Sequence, residues 1–213
     1  MWPRVAEIRM GLRLTPNKSL MKASSLIAAF VAAFSVAAQC YGQALDPSPE
    51  AKKERAELCR KILCRAPVNV RVLLKDRTIM EVPFEDPSPI VLPNGWVTIL
   101  PGEEVHIALD VVGDVLRNPH AVKQPADSPP TVSFRFTQDP KTGDTSLVVS
   151  STVNRPIKFD LGMMLPDSER IRKTSSCPVL AGKQSYEHWP HPIFQFVAAR
   201  FRVVPSDTTM KCE

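Results

Sequence analysis

The 213-residue chain has few of the residues on which recognisable active sites depend. It contains 8 glycines and 4 histidines. It has no glycine-rich phosphate loop, no Gly-x-Ser-x-Gly nucleophile elbow and no Cys-x-x-Cys pair. Phosphate cradling, serine hydrolysis and thiol redox chemistry therefore have no motif here, and the sequence favours a non-catalytic protein. An enzyme of a kind that spacing does not reveal is the third choice, after two binding functions.

The chain also lacks a surplus of positive charge outside its first 44 residues. The formal net charge is +5, but residues 1–44 hold five basic side chains and one acidic one. Of the 27 basic and 22 acidic residues, 22 and 21 remain beyond that segment. Nucleic-acid binding requires basic side chains to displace counterions from phosphates. The near-neutral remainder argues against a nucleic-acid partner.

No apolar run is long enough to cross a bilayer, which takes about 20 residues. The longest, residues 26–38, follows Lys22 and precedes small residues at Gly42 and Ala44. A basic flank, a short apolar segment and small residues are typical of a signal peptide. We predict a signal over residues 1–44 that is cleaved after Ala44, with Ala38 as the alternative site.

Residues 1–20 are predicted to be an over-extended start. Met21 is followed at once by Lys22, so a signal that begins there has its charge beside the apolar run. Cleavage leaves residues 45–66, which we predict to be a helical N-terminal segment, and residues 67–213, which we predict to form one β-sandwich domain. No transmembrane span remains after signal removal, and we expect a periplasmic or extracellular protein.

Five cysteines are present, and four of them remain after cleavage at Ala44. Disulfides persist in the oxidising compartments that exported proteins reach. Four cysteines allow three pairings, and sequence does not choose among them. We favour the pairing Cys59 with Cys64 and Cys177 with Cys212, because the second bond would tie the chain end to a late loop.

The remainder alternates apolar and polar residues, as strands with one buried face do. Residues 131–137 and 157–165 show the pattern most clearly, and 68–74 with 78–82 read as a hairpin. Further strands are predicted at residues 96–100, 104–112, 145–153 and 193–204. In 104–112, Val111 is predicted to point inward, and a bulge near Ala199 or burial on both faces is predicted in 193–204. Short antiparallel strands of this kind favour an all-β β-sandwich of immunoglobulin-like layout.

Two stretches rich in proline or polar residues are predicted to be long surface loops, residues 113–130 and residues 177–192. Residues 166–176, between the strands, are predicted to be irregular. The second loop contains the best functional candidates, which are Tyr186, His188, Trp189 and His191.

These four residues support two hypotheses. Exposed Tyr, Trp and His side chains suit a binding surface. His188 and His191 could alternatively bind copper or zinc, with a third ligand from His106 or His120, because zinc sites gather three or four side chains. Packing of Trp189 over the end of the domain is the structural alternative. We expect an exported protein that binds a protein or cell-envelope component through loops or a strand edge, with metal binding as the alternative function.

Overall fold

The computed structural model describes residues 48–205 and 211–212. All of these belong to one compact unit, Pro47–Glu213. The predicted signal peptide, with both of its cleavage sites, lies outside the described residues. Among those described, no helix has the length and apolar character to span a membrane.

The described residues form one helix and thirteen strands. The helix is α1, Pro49–Lys61. The strands are β1 (Cys64–Arg65), β2 (Val68–Leu73), β3 (Ile79–Phe84), β4 (Ser88–Pro89), β5 (Val97–Ile99), β6 (Glu104–Val112), β7 (Val115–Val122), β8 (Thr131–Gln138), β9 (Thr145–Ser151), β10 (Ile157–Met164), β11 (Ile171–Thr174), β12 (Gln184–Trp189) and β13 (Gln195–Val203).

Helix α1 begins with a capping side chain and carries no buried residue. The Ser48 hydroxyl accepts a hydrogen bond from the Ala51 N–H at 3.2 Å, and Pro49 occupies the first turn. Because no apolar face is buried, other contacts hold the helix. One of them is the Cys59–Cys64 disulfide, which joins its last turn to β1.

Hydrogen bonds from Arg65 attach this N-terminal segment to the main sheet. Its guanidinium donates to both carboxylate oxygens of Glu103, at 2.7 and 3.1 Å, and to the Thr98 carbonyl at 2.8 Å. The Arg65 side chain is 8% exposed. A planar guanidinium facing a carboxylate in this two-bond arrangement makes a strong charge-assisted contact.

Eight strands form one continuous antiparallel path in the order β11-β10-β13-β7-β6-β8-β9-β12, and β5 adds to β13 off that path. Two small antiparallel pairs, β1 with β4 and β2 with β3, complete the fold. The all-β, antiparallel class predicted from the alternating runs is confirmed. Residues 68–74 and 78–82 form the predicted hairpin, β2–β3, within a residue or two.

The main sheet curls until strands that are distant along the path face each other across one core. The ring of Phe134 on β8 lies 5.2 Å from that of Phe159 on β10 and 6.2 Å from that of Phe201 on β13. Phe136 meets Phe196 at 4.7 Å. These edge-on contacts between aromatic rings bury the inward sides of both halves of the sheet.

Side chains link the two edge strands of the curled sheet. The Trp189 indole on β12 donates to the Thr174 hydroxyl on β11 at 3.0 Å. Just beyond β11, the Cys177 N–H donates to the Glu187 carboxylate at 2.9 Å. The second disulfide, Cys177–Cys212, anchors the C-terminal residues beside this link. Both disulfides are the pairs favoured by the sequence analysis.

The β2–β3 hairpin has its own small apolar cluster. Val70, Val72 and Leu100 are buried there. The hairpin is attached to β8 through Gln138, whose side-chain amide donates to the Leu73 carbonyl and accepts from the Leu73 N–H. The Gln138 side chain thus bonds both backbone groups of Leu73, as a neighbouring strand would.

The prediction that residues 113–130 form a loop is wrong. Eight of its 18 residues form β7, which pairs with β6. The proline that argued against a strand, Pro119, lies where the register between β6 and β7 shifts, beside Asn118 with φ of 50°. A bulge needs no ladder donor at its extra residue, so it tolerates proline. Val111, predicted to face inward, is 39% exposed.

The prediction that residues 177–192 form a loop is also wrong, because they contain β12, and the stretch predicted to be irregular contains β11. The inward side of β12 carries Ser185 and Glu187, so its sequence does not show an apolar alternation. The predicted bulge in the last strand is confirmed. The β10–β13 register shifts between Lys158 and Asp160, and Arg200 has φ of 53°.

Candidate functional site

Strand β12 places three of the four candidate residues on alternate faces. Tyr186 is 70% exposed, and the His188 side chain is 58% exposed. Trp189, the next residue, is buried and only 8% exposed. Because successive side chains of a strand point to opposite sides, Tyr186 and His188 share the outer face of the sheet and Trp189 faces the core.

The outer face continues across three more strands in register. Tyr186 on β12 lies opposite Val148 on β9, which lies opposite Arg135 on β8, which in turn lies opposite Glu104 on β6. Beside this row, Gln184 lies opposite Ser150. The inward side of β8 is apolar at Val132, Phe134 and Phe136, whereas the inward side of β12 also carries the polar residues Ser185 and Glu187.

Two contacts orient the exposed side chains. The Tyr186 hydroxyl donates to the Gln184 side-chain oxygen at 2.6 Å, so the phenol ring leans along the strand. The Nδ1 of His188 lies 3.4 Å from the Ser146 hydroxyl, and its Nε2 lies 3.8 Å from a carboxylate oxygen of Asp144. Both outward rings of β12 therefore rest against neighbours of the same face.

β12 also has an open backbone edge. The Thr152 N–H donates to the Thr131 carbonyl at 2.9 Å, so residue 152 turns toward β8. Successive residues of an antiparallel strand turn their N–H and C=O groups to opposite sides, so Val149 turns toward β12, where it meets Ser185. Tyr186, one residue further, turns its N–H and C=O away from β9, and Gln184 and His188 do the same.

On the core side, Trp189 and Glu187 hold β12 in place. The Trp189 ring packs 4.8 Å from the ring of Phe196. Burial raises the pKa of the Glu187 carboxyl above its ordinary value of 4.5, and the hydrogen bond from the Cys177 N–H partly offsets that rise. Two buried hydroxyls on the same side, those of Ser185 and Thr145, have no hydrogen-bond partner among the described protein atoms.

His191 lies past the end of β12, in different surroundings from His188. It lines a cleft of about 390 Å³ together with Leu165, Asp76 and Asp167. Its Nδ1 lies 3.2 Å from the Pro192 carbonyl oxygen. The structure therefore places the two candidate ligands against different neighbours.

The histidines suggested as a third ligand have other partners. The Nδ1 of His106 is 2.8 Å from the Ser133 hydroxyl, and that of His120 is 3.0 Å from the Asn118 carbonyl. Within residues 48–205 and 211–212, no group of three or more His, Cys, Asp or Glu side chains is arranged to hold a metal ion.

The sequence patterns did not predict that Arg135, Glu104 and Gln184 lie on the surface around Tyr186. Only the pairing register unites them, and register depends on the whole sheet. The alternation of apolar and polar residues in 131–137 does predict that Arg135 lies on the solvent-facing side of its strand. That alternation is the sequence signal for its membership of this surface.

Comparison with protein-family models, curated proteins and solved structures finds no match to this chain. The site must therefore be interpreted from its own geometry.

Proposed function

We propose that this chain is an exported, non-catalytic β-sandwich protein that binds a protein or cell-envelope component through the open edge of β12. A signal peptide cleaved after Ala44 would deliver it to the periplasm or the cell exterior. The halves of the curled sheet would act as the two layers of the sandwich in an immunoglobulin-like layout. Two disulfides, typical of an oxidising environment, support export.

The observation that carries the proposal is the free side of β12. Its six residues pair with β9 and, within the described residues, with no other strand. The outward N–H and C=O groups of Gln184, Tyr186 and His188 are spaced to accept an extended peptide as an additional strand. Exposed edges of this kind are usually protected by charge, proline or a bulge, and β12 has none of these on its outward positions.

The edge is also held in a fixed position, which favours binding. Trp189 and Glu187 attach β12 to the segment around Thr174 and Cys177. A strand that is already ordered loses little conformational entropy when a partner adds to it. This supports the β12 edge rather than a mobile loop as the contact.

A pair of substitutions at one position tests strand addition. His188→Pro removes the outward N–H, and proline at an edge position leaves the ladder to β9 intact. His188→Ala removes the imidazole but keeps the N–H. With a photoreactive residue in place of Tyr186, we expect a crosslinked partner in the cells that produce the protein, lost in the proline variant and kept in the alanine variant.

The control is the same photoreactive residue in place of Glu81, which is exposed on the β2–β3 hairpin. Crosslinking of equal strength from both positions, or crosslinking that survives His188→Pro, would show that the edge is not the contact. Circular dichroism of each variant checks that the strands are retained.

Copper or zinc binding is the second candidate. His188 favours it, because its Nε2 already lies near the Asp144 carboxylate, and His191 would have to supply a further ligand. A metal present at about 100 times its Kd stabilises the folded state by about 2.7 kcal/mol. Titration with either metal should then raise the melting temperature, and the double variant His188→Ala/His191→Ala should abolish the rise. An unchanged melting temperature eliminates this candidate.

A further inference from the structure

The outer polar face, which we define as Glu104, Arg135, Val148, Gln184 and Tyr186, is open to solvent across four strands. Neighbouring strands lie about 4.8 Å apart, so the row from Tyr186 to Glu104 spans roughly 14 Å along the sheet. In this row Glu104, Arg135 and Tyr186 are exposed, and Val148 is half-buried. A ligand that contacts all four strands must be extended over that distance.

The charges on this face cancel. Arg135 and Glu104 are cross-strand neighbours of opposite sign, and the other members carry an amide, a phenol or an apolar group. A phosphate-rich or otherwise anionic polymer requires a surplus of basic side chains, which this face lacks. An apolar partner would bury Arg135, Glu104 and Gln184 without compensation, at a cost in free energy. A neutral ligand with many hydrogen-bonding groups fits better.

Tyr186 supplies a flat apolar surface among these polar groups. Tyr186 is 70% exposed, and its hydroxyl is bonded to Gln184 on the same face, so the ring is oriented before any ligand binds. Aromatic side chains of this kind bury apolar area at low entropic cost. The C–H side of a sugar ring is a flat apolar surface of matching size, and its hydroxyl rim is the complement of the surrounding donors and acceptors.

A shallow depression beside the ring matches the same chemistry. It has a volume of about 60 Å³ and is lined by Glu104, Ser133, Arg135, Val148, Ser150 and Gln184. Its lining includes a cationic donor, a carboxylate acceptor, two hydroxyls and an amide, which together can donate to and accept from a hydroxyl group. The depression has room for a small polar substituent such as a hydroxymethyl group.

We propose that the outer polar face is a binding site for a neutral carbohydrate chain, with Tyr186 as the stacking platform and Arg135, Glu104 and Gln184 as hydrogen-bonding groups. This rests on the proposed function, since it names the chemical class of an envelope component. In this proposal the carbohydrate binds to the face of the sheet, whereas an extended peptide binds to the edge of β12.

Affinity electrophoresis in gels that contain one soluble polysaccharide each tests the proposal. The neutral polymers are dextran, a linear β-glucan, a mannan and a galactan, and the anionic control is polygalacturonate. We expect at least one neutral polymer to retard the protein. Tyr186→Ala should weaken binding about tenfold, as truncation of an aromatic anchor commonly does, and Arg135→Ala should weaken it several-fold. Tyr186→Phe should retain binding, and Glu81→Ala should leave it unchanged.

Three results would overturn the carbohydrate site. These are no retardation by any neutral polymer, retardation by the anionic polymer alone, and retardation that both alanine variants retain. His188→Pro separates this proposal from strand addition, because it removes an edge donor and leaves Tyr186 and Arg135 in place. Loss of the crosslinked partner with retained polysaccharide binding supports both the edge and the face. Retained crosslinking in this variant would overturn the edge proposal alone, and loss of polysaccharide binding in it would overturn the face as a separate site.

Discussion

The two faces of the β6–β8–β9–β12 half of the sheet differ in almost every property. The inner face is built from fully buried side chains such as Phe134, Phe136 and Leu147. The outer face, one residue away along each strand, carries Arg135, Tyr186 and polar groups that face water. Because strand side chains alternate, stability and recognition are assigned to neighbouring residues of the same strand. A substitution should therefore affect one property and spare the other.

Of the substitutions that test this comparison, Phe134→Ala should have the largest effect on stability. Phe134 is 0% exposed, and its ring contacts those of Phe159 and Phe201 from the opposite half of the sheet. Truncation of a buried phenylalanine leaves a cavity and costs about 3–5 kcal/mol. Urea denaturation should show that loss in the free energy of unfolding. A loss below about 1 kcal/mol would mean that the two halves do not share a tightly packed core.

Glu187→Gln should have a smaller effect that depends on pH. Burial raises the pKa of this carboxyl, so the folded state binds the proton more tightly than the unfolded state. The free energy of unfolding should therefore fall as pH rises from about 4.5 through the folded pKa. Glutamine avoids the buried charge and can still accept from the Cys177 N–H.

Melting curves across this pH range measure the difference. We expect the Gln variant to melt above the wild-type protein near about pH 8 and with it near about pH 4. Equal melting temperatures at both pH values would mean that Glu187 is solvated in the folded state, and a lower value for the variant at high pH would reverse the sign.

Arg135→Ala should have the smallest effect on stability. Arg135 is exposed and adjacent to Phe134, so the pair is matched in strand and position. Surface substitutions usually change the free energy of unfolding by less than about 0.5 kcal/mol. The same urea experiment should place Arg135→Ala within that range of the wild-type protein. A loss as large as that of Phe134→Ala would mean that the outer face is also structural.

The fold was predictable where one face of a strand is apolar. The runs that become β6, β8 and β10 alternate clearly, and the structure places them within a residue of the predicted bounds. The strands that were missed break that rule for separate reasons. Pro119 in β7 lies at a bulge, and β12 buries Ser185 and Glu187, which hydropathy assigns to the surface.

The candidate site was predictable in part. Tyr186 and His188 are exposed, as the hypothesis of a binding surface requires. Trp189, the residue after His188, lies on the opposite face of β12 and packs in the core. Arg135 and Glu104 join the surface only through cross-strand register. Register is set by the packing of the whole sheet rather than by local sequence, so no sequence motif predicts it.

The attachment of α1 has a consequence for how the molecule responds to reducing conditions. The helix buries no residue, and its last turn is covalently bonded to Cys64, next to the anchored Arg65. A reductant that opens this bond would let the helix fray while the aromatic core of the main sheet keeps its packing. The N-terminal segment would then become sensitive to proteases under thiol-rich conditions, and the curled sheet would remain intact.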